Sequence, residues 1–401
     1  MASVFTWLDY SEHEQRKMLD VISALRETDT RDELGIGIVR DALADLLFPG
    51  TSTVQTRVRY FLFVPWIYLD LQRRRTPSDQ IAAAARRKEI DLIDALAASD
   101  DPSGTIGIEA RRSLQRLPSN IYWQGLAQWG IRIFPGSQAQ YHAFQDNFYA
   151  SQTRSQRNDD GEPVDGSTGR NWHGGLPAPP QDFPRVASFA LTAEEASYLY
   201  ERIMTRLPGT LLAFLVDLRE PTDPTAFAWE SPVAEHLPSK LAEQLEHARN
   251  FSIVIHGASL LYNLMLAETR QSEELVDEYS EMLADWSSQV DAFVKAPGSW
   301  NTRRFWEIID ATGARVTLLT RRFIDTWLSL ALSPGVVTGI ADNAQARTLI
   351  HERERLLKHG LARLDNPRSL ELWNGAAGAG QLTYRWRVAQ TMVADILNGL
   401  P

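Results

Sequence analysis

Residues 33–66 read ELGIGIVRDALADLLFPGTSTVQTRVRYFLFVPW, a helix, a tight corner at Pro49-Gly50 and a second helix. The corner follows from turn chemistry: Pro sets the first turn position and Gly supplies positive φ. Ser52 with Gln55 has capping-box spacing, so the second helix is expected to open at Ser52, pass Tyr60 and break at Pro65. Two cations, Arg57 and Arg59, fall in its first turns.

The same devices recur outward along the chain. Ser11 with Glu14, Thr30 with Glu33 and Thr192 with Glu195 repeat the capping box. Pro-Gly corners followed by a hydroxyl residue return at Pro135-Gly136-Ser137, Pro208-Gly209-Thr210 and Pro297-Gly298-Ser299. Their unequal intervals make them reused turns, not an internal repeat. Later helices are expected at 239–249, 252–268, 273–294, 302–330, 343–363 and 383–398. Gly130–Phe134 and Arg315–Leu319 are the short strand candidates. The segment 151–187 is polar and then Pro-rich, too poor in apolar residues to bury a core of its own, with Trp172 and Phe183 as its anchors. The reading is therefore mainly α, with two helical domains, 1–150 and 188–401, joined by a Pro/Gly-rich linker or loop.

Composition narrows function by exclusion. The chain has 401 residues and a formal charge of -10, which argues against a globally basic nucleic-acid-coating protein and leaves room for a local basic patch. Only five of the 41 basic residues are Lys. A GC-rich genome accounts for that bias, and Arg also forks carboxylates and phosphates well. With no Cys, disulfides, thiol catalysis and zinc-cysteine sites are excluded. No signal peptide or membrane-length apolar run stands out, and a cytoplasmic location is expected.

The 34–66 stretch has a helix-turn-helix outline. Ser52, Gln55, Thr56, Arg57 and Arg59 are residue types that reach phosphates and base edges, and a helix N-terminus favours phosphate. The alternative is that Arg57 and Arg59 pair with Asp41 or Asp45. The triplet Arg73, Arg74 and Arg75 either extends a phosphate-contacting face or is a solvated helix end. Tyr122, Leu126 and Trp129 keep core-stripe spacing, with an aromatic platform for bases as the sharper alternative. Late in the chain, Arg353, Arg385, Trp386 and Arg387 could engage an acidic partner, or Trp386 could dock a terminal helix with its Arg neighbours in structural pairs.

Catalytic patterns are missing. The eight His never fall in His-Glu-x-x-His register, no Gly-x-Ser-x-Gly elbow occurs, and Gly375, Gly378 and Gly380 lack the preceding apolar strand of a dinucleotide fingerprint. No catalytic residue, metal site or cofactor is therefore expected. An enzyme reading would need a site assembled by folding around His351, Glu352 and Arg385.

The motifs Trp7-Leu8-Asp9-Tyr10-Ser11, Thr30 through Gly37, Phe48-Pro49-Gly50-Thr51-Ser52, Arg57-x-Arg59-Tyr60-Phe61 with Pro65-Trp66, Leu117-Pro118-Ser119, Ala362-Arg363-Leu364 and Tyr384-Arg385-Trp386 together resemble an uncharacterised bacterial family, a domain of unknown function. The resemblance covers nearly the whole chain and brings no site residues. It implies an accessory gene of phage-defence regions, beside helicase- or nuclease-like partners. The expectation is a non-catalytic subunit of an anti-phage system that binds partner proteins and possibly DNA, with no membrane role. The alternatives are an enzyme with an unrecognised C-terminal site and a pure protein scaffold.

Overall fold

A computed structural model describes residues 32–155, 170–221, 223–295 and 300–401. The helix expected from Ser11 and the Thr30 cap lie outside them. Among the described residues the protein is helical and has no strand; Gly130–Phe134 contributes only an isolated antiparallel bridge between Arg132 and Trp172. Arg315–Leu319 is irregular up to Thr317 and helical from Leu318.

The chain groups into two compact units that are interleaved in sequence. Unit 1 comprises residues 1–43 and 246–382, and unit 2 comprises residues 44–245 and 383–401. The sequence reading placed consecutive domains on either side of 151–187. Contacts instead gather around chain returns, because Trp172 and Phe183 tie that segment into unit 2. Trp172 Nε1 donates to the Tyr141 hydroxyl at 3.0 Å, and Phe183 stacks on Phe63 at 5.6 Å between ring centroids.

Unit 2 is built around α2 (Tyr60–Arg73), preceded by α1 (Gly37–Leu47), whose first half belongs to unit 1. The second helix opens at Tyr60, eight residues later than the capping box at Ser52 suggested. The amides before it are satisfied by distant partners: Thr56 N–H donates to the Tyr122 hydroxyl and Val58 N–H to Asp395. Gln55 still accepts from Ser52 N–H at 3.1 Å, so the local bond exists without the helix. The helix also runs through Pro65. Ten of its fourteen residues are buried, so burial on all sides outweighs the one amide bond that Pro forgoes.

α2 packs with α3 (Ser78–Ala97) and α4 (Pro118–Gln128), and unit 2 also holds α5 (Gln138–Ser155), α6 (Ala193–Arg206) and α7 (Leu211–Leu218). The corner at Gly50 has φ 82° and meets α4 at Gly125, where an added Cβ would lie 2.3 Å from the Gly50 carbonyl. Phe61 stacks flat on Trp129 at 3.9 Å in the same region. Tyr122 and Trp129 are therefore core, as their spacing implied.

α8 (Ser239–Arg270) is one continuous helix rather than two, since nothing between residues 249 and 252 breaks it, and the division between the units falls within it. It is long and apolar enough to cross a membrane, and most of its apolar window is buried inside the fold. In unit 1 its residues pack with α9 (Glu273–Lys295), α10 (Thr302–Ala311), α11 (Leu318–Ala331), α12 (Ala344–Lys358) and α13 (Pro367–Glu371). Trp286 and Trp327 donate to the Ile253 and Val254 carbonyls at 2.7 and 2.9 Å. On α9, Tyr279, Leu283, Trp286 and Val290 face inward, leaving Glu273, Glu274, Asp277, Glu278, Glu281 and Asp285 in water. The last helix, α14 (Trp386–Gly399), belongs to unit 2.

Candidate partner-binding surface

Two elements of unit 1 make this surface. α11 begins with Thr317 as cap, its hydroxyl accepting from Thr320 N–H at 3.2 Å. That leaves Leu318 and Leu319 in the first turn, pointing away from the inward face of Phe323, Ile324 and Trp327. α12 is capped by Asn343 and buries Ala346, Ile350, Arg353 and Glu354. Arg353 joins the two helices: its guanidinium donates to Thr320 Oγ1 at 2.9 Å and to the Leu34 and Gly35 carbonyls at 2.8 and 3.1 Å.

The end of α12 is held by buried charge. Glu354 accepts from the Tyr262 hydroxyl, from Lys358 at 3.1 Å, and from the Arg363 and Leu364 amides at 2.9 and 3.1 Å. Glu33 pairs with both Lys358 and Arg363. Every oxygen of Glu354 thus has a donor, which a buried carboxylate requires.

With polar residues filling the inner face, leucines are left outside. Leu318 is 86% and Leu361 70% exposed, and Leu319, Leu356 and Leu357 are also exposed. Single exposed apolar residues are ordinary; five around one helix end and its neighbour's start are not. Arg315, Arg322 and Arg355 stand exposed beside them and form no ion pair among the described residues. An apolar patch with a cationic rim can seat a segment that carries both leucine-like and acidic side chains.

Next to it an open groove is lined by Glu352, Arg355, His359 and Asp365 among others. His351 Nε2 lies 2.7 Å from Asp365 Oδ1 at its edge. Arg385, grouped with His351 and Glu352 in the enzyme reading, belongs to unit 2. No cluster of three or more His, Asp or Glu able to hold a metal occurs among the described residues.

The residues expected to bind a partner fall elsewhere. Arg353 is buried and bonded to Leu34, Gly35 and Thr320, as above. Trp386 is buried, tilted against Phe48 at 5.7 Å and donating to Thr225. Arg385 donates to Asp45 and to the Thr51 carbonyl. Only Arg387 is exposed. Arg353, Trp386 and Arg385 are spent on structure, because each lies at or next to a buried helix face.

The candidate nucleic-acid residues divide in the same way. Arg57 is largely buried; its Nε donates to both Asp395 oxygens at 3.0 Å and its Nη1 to Asp101 at 2.7 Å. Arg59 is buried and forks between Glu195 at 2.7 Å and the Ser188 carbonyl at 2.8 Å. The acidic partners are therefore Asp395, Asp101 and Glu195 rather than Asp41 or Asp45. Gln55 is buried, and Thr56 gives its hydroxyl to Gly104. Ser52 is partly exposed in a turn rather than at a helix start. Arg73, Arg74 and Arg75 do lie in solvent, Arg74 paired with Asp70 at 2.9 Å.

The chain matches, over residues 2–399, the model of the Family of unknown function (DUF6361), and it belongs to that family. No curated protein and no solved structure matches it.

Proposed function

We propose that this DUF6361 member is a non-catalytic binding subunit of a bacterial anti-phage assembly. In this reading it works in the cytoplasm and docks an acidic, amphipathic segment of a partner protein on the leucine surface of unit 1. The single observation that carries the binding role is the exposed group Leu318, Leu319, Leu356, Leu357 and Leu361 beside Arg315, Arg322 and Arg355, which form no ion pair among the described residues. The anti-phage setting and the helicase- or nuclease-like identity of the partner rest on the family resemblance alone.

The test is co-expression with the products of adjacent genes, comparing the wild type with a Leu356→Asp, Leu361→Asp double variant. Capture of a neighbour by the wild type and its loss in a variant of unchanged melting temperature is the expected result. Equal capture by both proteins overturns the surface assignment.

A second reading, DNA contact, is favoured by one observation. Arg73 and Arg75 are exposed on unit 2 and carry no ion pair among the described residues. Such cations can neutralise phosphates independently of sequence.

A further inference from the structure

A different feature, in unit 2, is independent of that reading. α6 opens with the reciprocal Thr192–Glu195 box and turns Glu195, Ala196, Tyr198, Leu199, Arg202 and Ile203 inward. Glu195 is consumed by Arg59. Arg202, two turns further, is only 7% exposed and makes no hydrogen bond among the described residues, its buried Nε included. Its one ionic neighbour is the adjacent, solvent-facing Glu201 at 3.5 Å. A buried guanidinium N–H without an acceptor is costly, and Nε is such a donor among the described residues.

Tyr198, one turn before Arg202, places its hydroxyl 3.3 Å from His173 Nδ1, which also accepts from Gly175 N–H at 3.3 Å. Burial, and then the charge of Arg202, hold the His173 imidazole below its ordinary value. Arg206, one turn beyond Arg202, lies against Gly130, where an added Cβ would meet its Nε at 2.9 Å. The neighbouring Ile131 carbonyl accepts from His173 N–H at 2.8 Å. A second buried donor without a partner among the described residues, Asn171 Nδ2, stands two residues before His173. Glu201 is the one acid among these groups, and its side chain is largely in water.

We propose that Arg202, with His173 and Arg206, forms a binding site for a small oxyanion, a phosphate or carboxylate group received by the Arg202 fork. The planar fork suits both, and a nearby imidazole that gains a proton as the anion arrives adds attraction.

The experiment is titration of the full chain with inorganic phosphate and, separately, acetate at constant ionic strength. Two readouts are followed: melting temperature and the His173 titration by NMR. The expected result is a saturating rise in melting temperature for at least one anion, with His173 titrating at higher pH when it is bound. Arg202→Met abolishes both effects. Arg202→Lys, which keeps charge without the fork, serves where the Met variant does not fold, and weakens half-saturation by about tenfold. A saturating response to phosphate alone assigns a tetrahedral ligand, and to acetate alone a carboxylate. No response to either anion in the wild type, or an undiminished response in Arg202→Lys, overturns the site.

Discussion

Arg57 and Asp395 lie 338 residues apart in sequence, yet the Arg57 Nε sits 3.0 Å from both carboxylate oxygens of Asp395. The same carboxylate accepts from Val58 N–H, so it fastens α14 to the irregular segment that precedes α2. Burial pushes the Asp395 carboxyl above its ordinary range, opposed by Arg57. Removing Asp395 leaves the largely buried Arg57 with only the exposed Asp101 as acidic partner and orphans the Val58 N–H. Asp395→Ala is therefore expected to cost about 3–5 kcal/mol in chemical denaturation. Arg57→Ala leaves Asp395 able to take up a proton and is expected to cost less. Equal, sub-kcal losses for both would show the pair to be incidental.

Glu89 gives unit 2 a pH dependence. It is completely buried, and its oxygens accept from Ser119 N–H at 2.8 Å and Ser119 Oγ at 2.7 Å at the start of α4. Burial raises its carboxyl from 4.5 to about 7, against the opposing pull of those two bonds. A folded-state value raised above the unfolded one means that the native state holds its proton longer. Its contribution is complete below pH 4.5 and is lost as pH rises through about 7. The change over that window is on the order of 3 kcal/mol. Denaturation midpoints measured across the window should fall in the wild type and stay flatter in Glu89→Gln. Parallel curves would refute the assignment.

Gly257 on α8 faces the indole of Trp286 on α9, and an added Cβ would lie 2.2 Å from it. The indole is fixed by its bond to the Ile253 carbonyl and cannot swing aside cheaply. Gly257→Ala should therefore destabilise by about 1–3 kcal/mol, although Ala is the better helix former. Adding Trp286→Phe should recover part of that loss if the clash is its cause. A thermal melt of the three proteins decides it.

For the DNA reading, the informative substitutions are Arg73→Ser with Arg75→Ser, not Arg57→Ala. The first pair are solvated and should leave the melting temperature unchanged; the second breaks the fold's own ion pairs. Fluorescence anisotropy with labelled duplex should show salt-dependent binding whose log–log slope drops by about 1 per phosphate contact removed. Unchanged affinity and slope in the double variant would take the Arg73–Arg75 turn out of any nucleic-acid contact.

What the sequence made legible was local. The Thr192–Glu195 box, the Pro49-Gly50 corner and the core stripe of Tyr122 and Trp129 each depend on neighbours a few residues away, and each is present. The start of α2 was not legible, because Asp395 and Tyr122 supply the bonds that replace a helical turn at residues 56–58. The same limit hid the fate of Arg353, which sits on an inward face, whereas Trp386 docks the last helix as its structural alternative had it. One signal for the leucine surface did exist. Ile350 and Arg353 are three apart on the inward face of α12, and Leu356, a further three on, rotates off it. A charge inside the stripe and a leucine outside it is the pattern to look for.

The interleaving of the two units has a consequence for synthesis on the ribosome. α14 supplies Asp395, Trp386 and much of the core contact of unit 2, but it is translated after every residue of unit 1. Unit 2 must therefore wait, with most of its chain exported and its last helix still to come, while unit 1 already has all its parts. During that interval the apolar surface of α6 and α7 that α14 helps to close is open to chaperones.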